Sequence, residues 1–192
     1  MSEAVVDTAA TSPLPGVAAG TWVFDPAHSR VGFSVRHLMS RVRGSFTEIS
    51  GEIVIGTTLD TSSTNVTIEL ASVNTGSEMR DNHLRNKDFF DVETTPKQMK
   101  FASTGVRAEG SGWVLIGDLT VIDITKAVEI KLDFLGVDPT GMQGEPRVGF
   151  EGRTSISRSD FGVSFGVAID GAKVFVGEEI EIHLEIEATL SE

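Results

Sequence analysis

Apolar side chains recur at every second position through most of this chain, the signature of strands with one oily and one polar face. The pattern is clearest near the C-terminus. There Ile180, Ile182, Leu184, Ile186 and Ala188 alternate with Glu181, His183, Glu185 and Glu187. The same period runs through Val31, Phe33 and Val35, through Val66, Ile68 and Leu70, and through Met99 and Phe101. It returns in Val128, Ile130, Leu132 and Phe134, and in Val148 and Phe150. Two further strands are less regular. Trp22 to Asp25 is short, and Phe46 to Ile55 changes phase near Glu48 to Ser50, which predicts a bulge.

Turn residues separate these runs. Glu109 to Gly112 joins the Phe101 strand to the run Trp113 to Val121 as a hairpin, and Asp138 to Gly144 forms a glycine-containing loop. Gly171 and Gly177 flank a short apolar piece, Val174 to Val176. One segment breaks the period. In Glu78 to Asp91, Met79, His83 and Leu84 share a helical face and Pro96 stops continuation, so the spacing predicts a short helix over Met79 to Asn86.

Eight or nine consecutive half-polar strands with short connections predict an all-β domain with one short helix, an up-and-down antiparallel sheet. A sheet of that size closes or splits, because open edges invite aggregation. A closed antiparallel β-barrel of about eight strands has an interior that side chains fill or that holds one ligand. Strands of eight to ten residues give a tube roughly 25–30 Å long before tilt.

Composition narrows the function. The chain has 192 residues with 40% hydrophobic, enough for one sizeable core. A formal charge of −12 repels phosphate backbones and anionic membrane surfaces at long range, which argues against a nucleic-acid partner. The absence of cysteine excludes disulfides, thiolate metal sites and thiol nucleophiles. The first twenty residues have neither a basic start nor a secretory apolar run, and no stretch reaches the roughly 20 apolar residues of a membrane helix. The expected location is the cytoplasm, with no integral membrane segment. The expected organisation is a mobile tail over residues 1–20 and a barrel domain over 21–192.

Seven motifs in order resemble the YceI-like family: FDPAHSRVGFSVRHL (Phe24 to Leu38), GSF (Gly44 to Phe46), SVNTG (Ser72 to Gly76), RDNHLRNKDFFDVE (Arg80 to Glu93), MKFAST (Met99 to Thr104), GDLTVIDITKAVEI (Gly117 to Ile130) and RSDFGV (Arg158 to Val163). The resemblance runs from about Thr21 to Leu190. It implies a lipocalin-like barrel with a helix near one end. It implies an elongated apolar pore for a polyisoprenoid, such as a polyprenyl phosphate or a quinone tail, and no catalytic residues. Such proteins usually carry a glycine-containing turn followed by proline where this chain has Asp123 and Ile124 before Thr125 and Lys126, and Ala127 at the proline's place.

The residues expected to line the pore are Phe33, Val35, Phe46, Met99, Phe101, Leu132, Phe134, Phe150, Phe161, Ile182 and Leu184. The alternative is that they fill a solid core. Phe89 and Phe90, after the helix, either plug one mouth or anchor the helix. A phosphate head needs cationic donors at a mouth, and Arg80 and Arg158 are the candidates; the alternative for Arg158 is a structural ion pair. The four histidines, His28, His37, His83 and His183, lack metal-binding spacing, so no metal is expected, and no cofactor beyond the lipid. Asp25, His28 and Ser29 are too close in sequence to form a triad readily. The function expected is non-catalytic binding and carriage of an isoprenoid lipid. The alternatives are a protein-interaction barrel with a filled core and an enzyme acting on an apolar substrate. A homodimer is compatible with an open mouth or edge.

Overall fold

The computed structural model describes residues 12–92, 97–141, 144–165 and 176–191. Its strands are β1 (Gly20–Phe24), β2 (Arg30–His37), β3 (Ser40–Phe46), β4 (Ile49–Ile55), β5 (Ser63–Glu69), β6 (Val73–Asn74), β7 (Gln98–Glu109), β8 (Gly112–Val121), β9 (Ile124–Asp138), β10 (Arg147–Ser157) and β11 (Val176–Leu190). One α-helix, α1 (Glu78–Arg85), follows β6. Every pairing is antiparallel, and β1 pairs with both β4 and β11, so the sheet closes.

Eleven strands make eight staves. Both β1 and β2 pair with β11, so they form one stave broken at Asp25–Ser29. In the same way β3 and β4 form one stave, and β5 and β6 another. These breaks are where the alternation falters. Phe46 and Ile49 are both buried across the two-residue gap Thr47–Glu48, and this is the phase change predicted near Glu48 to Ser50. The gap is held by Ser72, whose hydroxyl accepts from the Thr47 and Glu48 N–H groups. At Asp25–Ser29 the ladder is kept by side chains. Ser29 donates to the Glu187 carbonyl at 2.9 Å, and its oxygen accepts from the Glu187 N–H at 3.1 Å.

The inward-facing residues collect into two clusters stacked along the barrel. The cluster beneath α1 contains Val31, Phe46, Ile68, Met99, Phe101, Leu119 and Phe161. The one at the opposite end contains Leu14, Val17, Trp22, Phe24, Val148, Phe150 and Ile186. Leu14 and Val17 belong to the segment expected to be a mobile tail. Residues 12–19 instead lie against this end, because two apolar side chains find a place beside Val137 and Ile55. Residues 1–11, and the 174–175 part of the expected apolar piece, lie outside the described residues; Val176 opens β11.

The helix falls where the spacing placed it, but its inner face differs. Met79 is 83% exposed, whereas Asp81 is 7% exposed. Asp81 accepts from the Thr75 N–H at 2.9 Å and from the Thr75 hydroxyl at 2.6 Å, so a carboxylate rather than a methionine ties the first turn to the sheet. Leu84 supplies the helix's apolar contact.

Candidate functional site

The lumen is not filled. Two cavities occupy it, one of about 160 Å³ at the end away from α1 and one of about 130 Å³ beneath α1. Val31, Met99 and Ile182 line both, so the two chambers meet at a waist. An apolar cavity of about 150 Å³ stays dry and accepts small hydrocarbons, so chambers of this size and lining favour an apolar guest over water.

The lower chamber is walled by Phe24, Val66, Phe101, Trp113, Leu132 and Leu184 among others. Its polar positions are Ser62, Ser63, Thr64 and Thr154. Three of these spend their hydroxyls on backbone carbonyls: Ser62 on Thr58, Thr64 on Glu52 and Thr154 on Glu129. With three of its four hydroxyls so engaged, this chamber offers a ligand mainly hydrophobic surface.

Most of the expected lining residues converge here. Phe33, Val35, Phe46 and Phe161 line the upper chamber. Phe101, Leu132, Phe150 and Leu184 line the lower one, and Met99 and Ile182 line both. Phe134 lines neither. It packs with its centroid 5.4 Å from that of Phe150 and edge-on to Trp113 at 6.5 Å. Sequence reasoning passed over Trp113, Leu115 and Leu119, although they alternate along β8 and the period was there to read. It also missed Pro13 and Leu14, which belong to no strand and carry no periodic signal.

The helix end is closed by packing. Arg85 donates to the Ala71 carbonyl at 2.7 Å and to the Val73 carbonyl at 2.9 Å, which clamps α1 to the staves below. Phe89 and Phe90 both line the upper chamber. Phe90 also packs into the core beneath, 6.2 Å from Phe46, so anchor and wall are the same residue. His83 meets Phe89 edge-on at 5.2 Å and Phe165 at 4.9 Å, forming an aromatic cover over this mouth.

The two arginines picked for a head group are engaged. Arg80 lies outside both linings and donates to the Thr75 hydroxyl at 2.7 Å and the Thr75 carbonyl at 3.0 Å. Arg158 lines the upper chamber and is 4% exposed. It donates to the carbonyls of Gly177 at 2.8 Å, Val163 at 2.9 Å, Phe165 at 2.7 Å and Val176 at 3.1 Å. Its nearest carboxylate among the described residues, Glu178, is 3.9 Å away. Arg158 is therefore a backbone clasp more than an ion-pair partner. Glu178 itself accepts from the hydroxyl of Ser157 and from Ser159, and these bonds lower its pKa from 4.5 to about 2.

A charged cluster sits at the β1–β2 break. Arg147 lies 2.6 Å from Asp25, 2.8 Å from Glu145 and 3.3 Å from Glu187. Asp25 is held well below the usual carboxylate range, first by Arg147 and then by His28 at 2.8 Å. Asp25, His28 and Glu187 present ligand atoms within 4.8 Å of one another. The guanidinium already supplies the positive charge a metal would bring there. Ser29 faces the Glu187 backbone, and no bond joins it to His28 among the described residues, so the three residues do not assemble as a triad.

A closed eight-stave antiparallel barrel, hollow and apolar along its axis and covered at one end by a helix, is a lipocalin-like architecture. Among the described residues no helix is long and apolar enough to cross a membrane. The YceI-like domain matches residues 22–188, and the chain belongs to the YceI-like family. It is 33% identical over 176 residues to a UPF0312 protein of Staphylococcus aureus (strain MSSA476), covering 89% of this chain and 98% of that one. The fold is similar to that of BcnA from Burkholderia cenocepacia, with a TM-score of 0.72 and 24% identity over 86% of this chain and 99% of BcnA. It is also similar to a polyisoprenoid binding domain from Saccharophagus degradans, with a TM-score of 0.64 and 14% identity over 90% and 99% of the two chains.

Proposed function

We propose that this protein binds a long, flexible, apolar lipid of the isoprenoid class along the barrel axis and performs no chemistry on it. The observation that carries the reading is the pair of chambers joined at Val31, Met99 and Ile182. Two apolar compartments in line suit a chain better than a compact molecule. The fold's likeness to a domain described as polyisoprenoid-binding supports the same class of ligand. Each buried methylene contributes about 0.8 kcal/mol before ordering costs, so affinity grows with tail length. A head-group role for Arg80 or Arg158 requires exchange of the bonds each now makes. A tail ending in a small neutral head fits the site without that exchange.

The test is a titration of delipidated protein with isoprenoid alcohols of increasing length, followed by Trp113 emission. Trp113 lines the lower chamber, whereas Trp22 is fully buried and gives a constant background. Affinity should rise with each unit until the axis is filled, then level off. Ile182→Trp, which plugs the waist, should shift that plateau to shorter chains. Emission and affinity that ignore chain length would overturn the reading.

A further inference from the structure

Among the described residues, the barrel's α1 end carries most of the large exposed apolar side chains. Leu38, Met39, Met79, Ile124 and Phe165 are large, exposed hydrophobics, and all belong to elements at this end. The most prominent are at the tip of the β2–β3 hairpin. His37 pairs with Ser40, so Leu38 and Met39 are the two central residues of a tight turn. Met39 is 96% exposed. Leu38 has φ +50°, a conformation that costs an L-residue with a bulky side chain and that a two-residue hairpin turn gives to glycine or asparagine. The chain therefore holds a strained leucine and a bare methionine in water where two small polar residues would fold better. Strain kept at an exposed tip points to a use for the side chains.

The hairpin itself is basic in an acidic chain. Between Asp25 and Glu48 there is no acidic residue, yet Arg30, Arg36, Arg41 and Arg43 fall there in a chain of net charge −12. Arg36 pairs across the hairpin with Arg41, and Arg43 with Ser34, so the three arginines nearest the tip share the outer face. All three are exposed. The facing carboxylates come from β11. Glu181 is bound to Arg41 at 2.6 Å, Glu178 is bound to Ser157 and Ser159, and Glu179 lies exposed beside them. Arg36 and Arg43 make no ion pair among the described residues. An apolar tip flanked by Arg36 and Arg43, which hold no carboxylate directly among the described residues, suits an interface of anionic head groups over acyl chains. It also stands next to the upper chamber, since Val35, two residues before His37, is part of that chamber's wall.

We infer that the β2–β3 hairpin docks this end of the barrel onto an anionic lipid bilayer, with Leu38 and Met39 inserted and Arg36 and Arg43 on the head groups. Docking there sets the upper chamber against the membrane from which an apolar guest comes. The inference does not depend on the guest being an isoprenoid.

Co-sedimentation of the full chain with vesicles tests it. Vesicles of phosphatidylcholine mixed with phosphatidylglycerol should capture the protein, phosphatidylcholine alone should capture much less, and added salt should release it. Leu38→Gly with Met39→Ser restores a favoured turn, so the variant should fold at least as well by thermal melting, yet lose capture tenfold or more. Arg36→Ser with Arg43→Ser, which keeps the apolar tip, should lose roughly 30-fold, at about fivefold per arginine. Equal capture by both kinds of vesicle, or undiminished capture of the Gly–Ser variant, would overturn the inference. Ligand retention in the barrel, read separately by mass spectrometry, should be unchanged in both variants.

Discussion

Arg158 offers a sharp test of how the helix-end mouth is held. Its guanidinium gathers four carbonyls, two from the end of the chain leaving β10 and two from the start of β11. Replacement by methionine keeps the length and apolar stem but leaves those oxygens without donors. Phe165 is exposed enough for water to take over its carbonyl. Val163 is buried, and Gly177 and Val176 are partly so. With two oxygens left effectively unsatisfied at roughly 1–3 kcal/mol each, and a charged donor lost, the expected cost is about 3–5 kcal/mol. At a urea slope of about 2 kcal/mol per M, the unfolding midpoint should fall by about 2 M. Arg158→Lys keeps the charge but lacks the planar fork, so it should recover less than half of the loss. Both are read by urea unfolding followed by circular dichroism. A midpoint shift under about 0.5 M for Arg158→Met, equivalent to about 1 kcal/mol, would refute the clasp.

Three further outcomes follow from the geometry. Glu178 has its pKa lowered from 4.5 to about 2 in the folded state, so it stabilises the fold above pH 4.5 and that contribution is lost as pH falls towards 2. Because Glu178 is about half exposed, its share is on the order of 1 kcal/mol, and Glu178→Gln should flatten that part of a urea-midpoint profile against pH; an unchanged profile would contradict the assignment. At Gly117 a Cβ would run into the Phe101 ring and lie 2.6 Å from the Ala102 carbonyl, so Gly117→Ala should cost roughly 1–3 kcal/mol in thermal or urea unfolding, and Phe101→Leu should restore part of it. Phe101→Asp puts a carboxylate into the wall between the apolar clusters and should abolish either the fold or lipid retention, measured by circular dichroism and extraction; a folded, lipid-retaining variant would mean that Phe101 does not face the lumen.

The barrel was legible because its staves are half-wet, so period two writes the facing of each side chain into the chain directly. Ile180 to Ala188 and Val128 to Phe134 predict their strands and inner faces without any neighbour's help. The helix was legible as an interruption, but its face was not. Met79 is exposed while Asp81 turns inward, because a carboxylate that meets Thr75 twice outweighs the burial of one methionine. Three-dimensional partners decided the rest. Arg158 reads as a head-group candidate in sequence, and only the approach of residues 163–165 to 176–177 makes it a clasp. Pro13 and Leu14 join the lower wall through packing that no periodicity foretells. Nor does alternation distinguish a filled core from a hollow one, since both need the same inward residues. That difference lies in volume, which period two does not encode; at Gly152, for example, Leu184 and Ile130 already occupy the place a side chain would take.

The most direct measurement on the proposed lipid site is native mass spectrometry of the folded protein before and after organic extraction. A bound guest gives a discrete loss of mass equal to that of one long-chain isoprenoid lipid, with the same species recovered in the organic phase. A mass already equal to that of the bare chain, unchanged by extraction and by incubation with such lipids, would contradict the proposed lipid site.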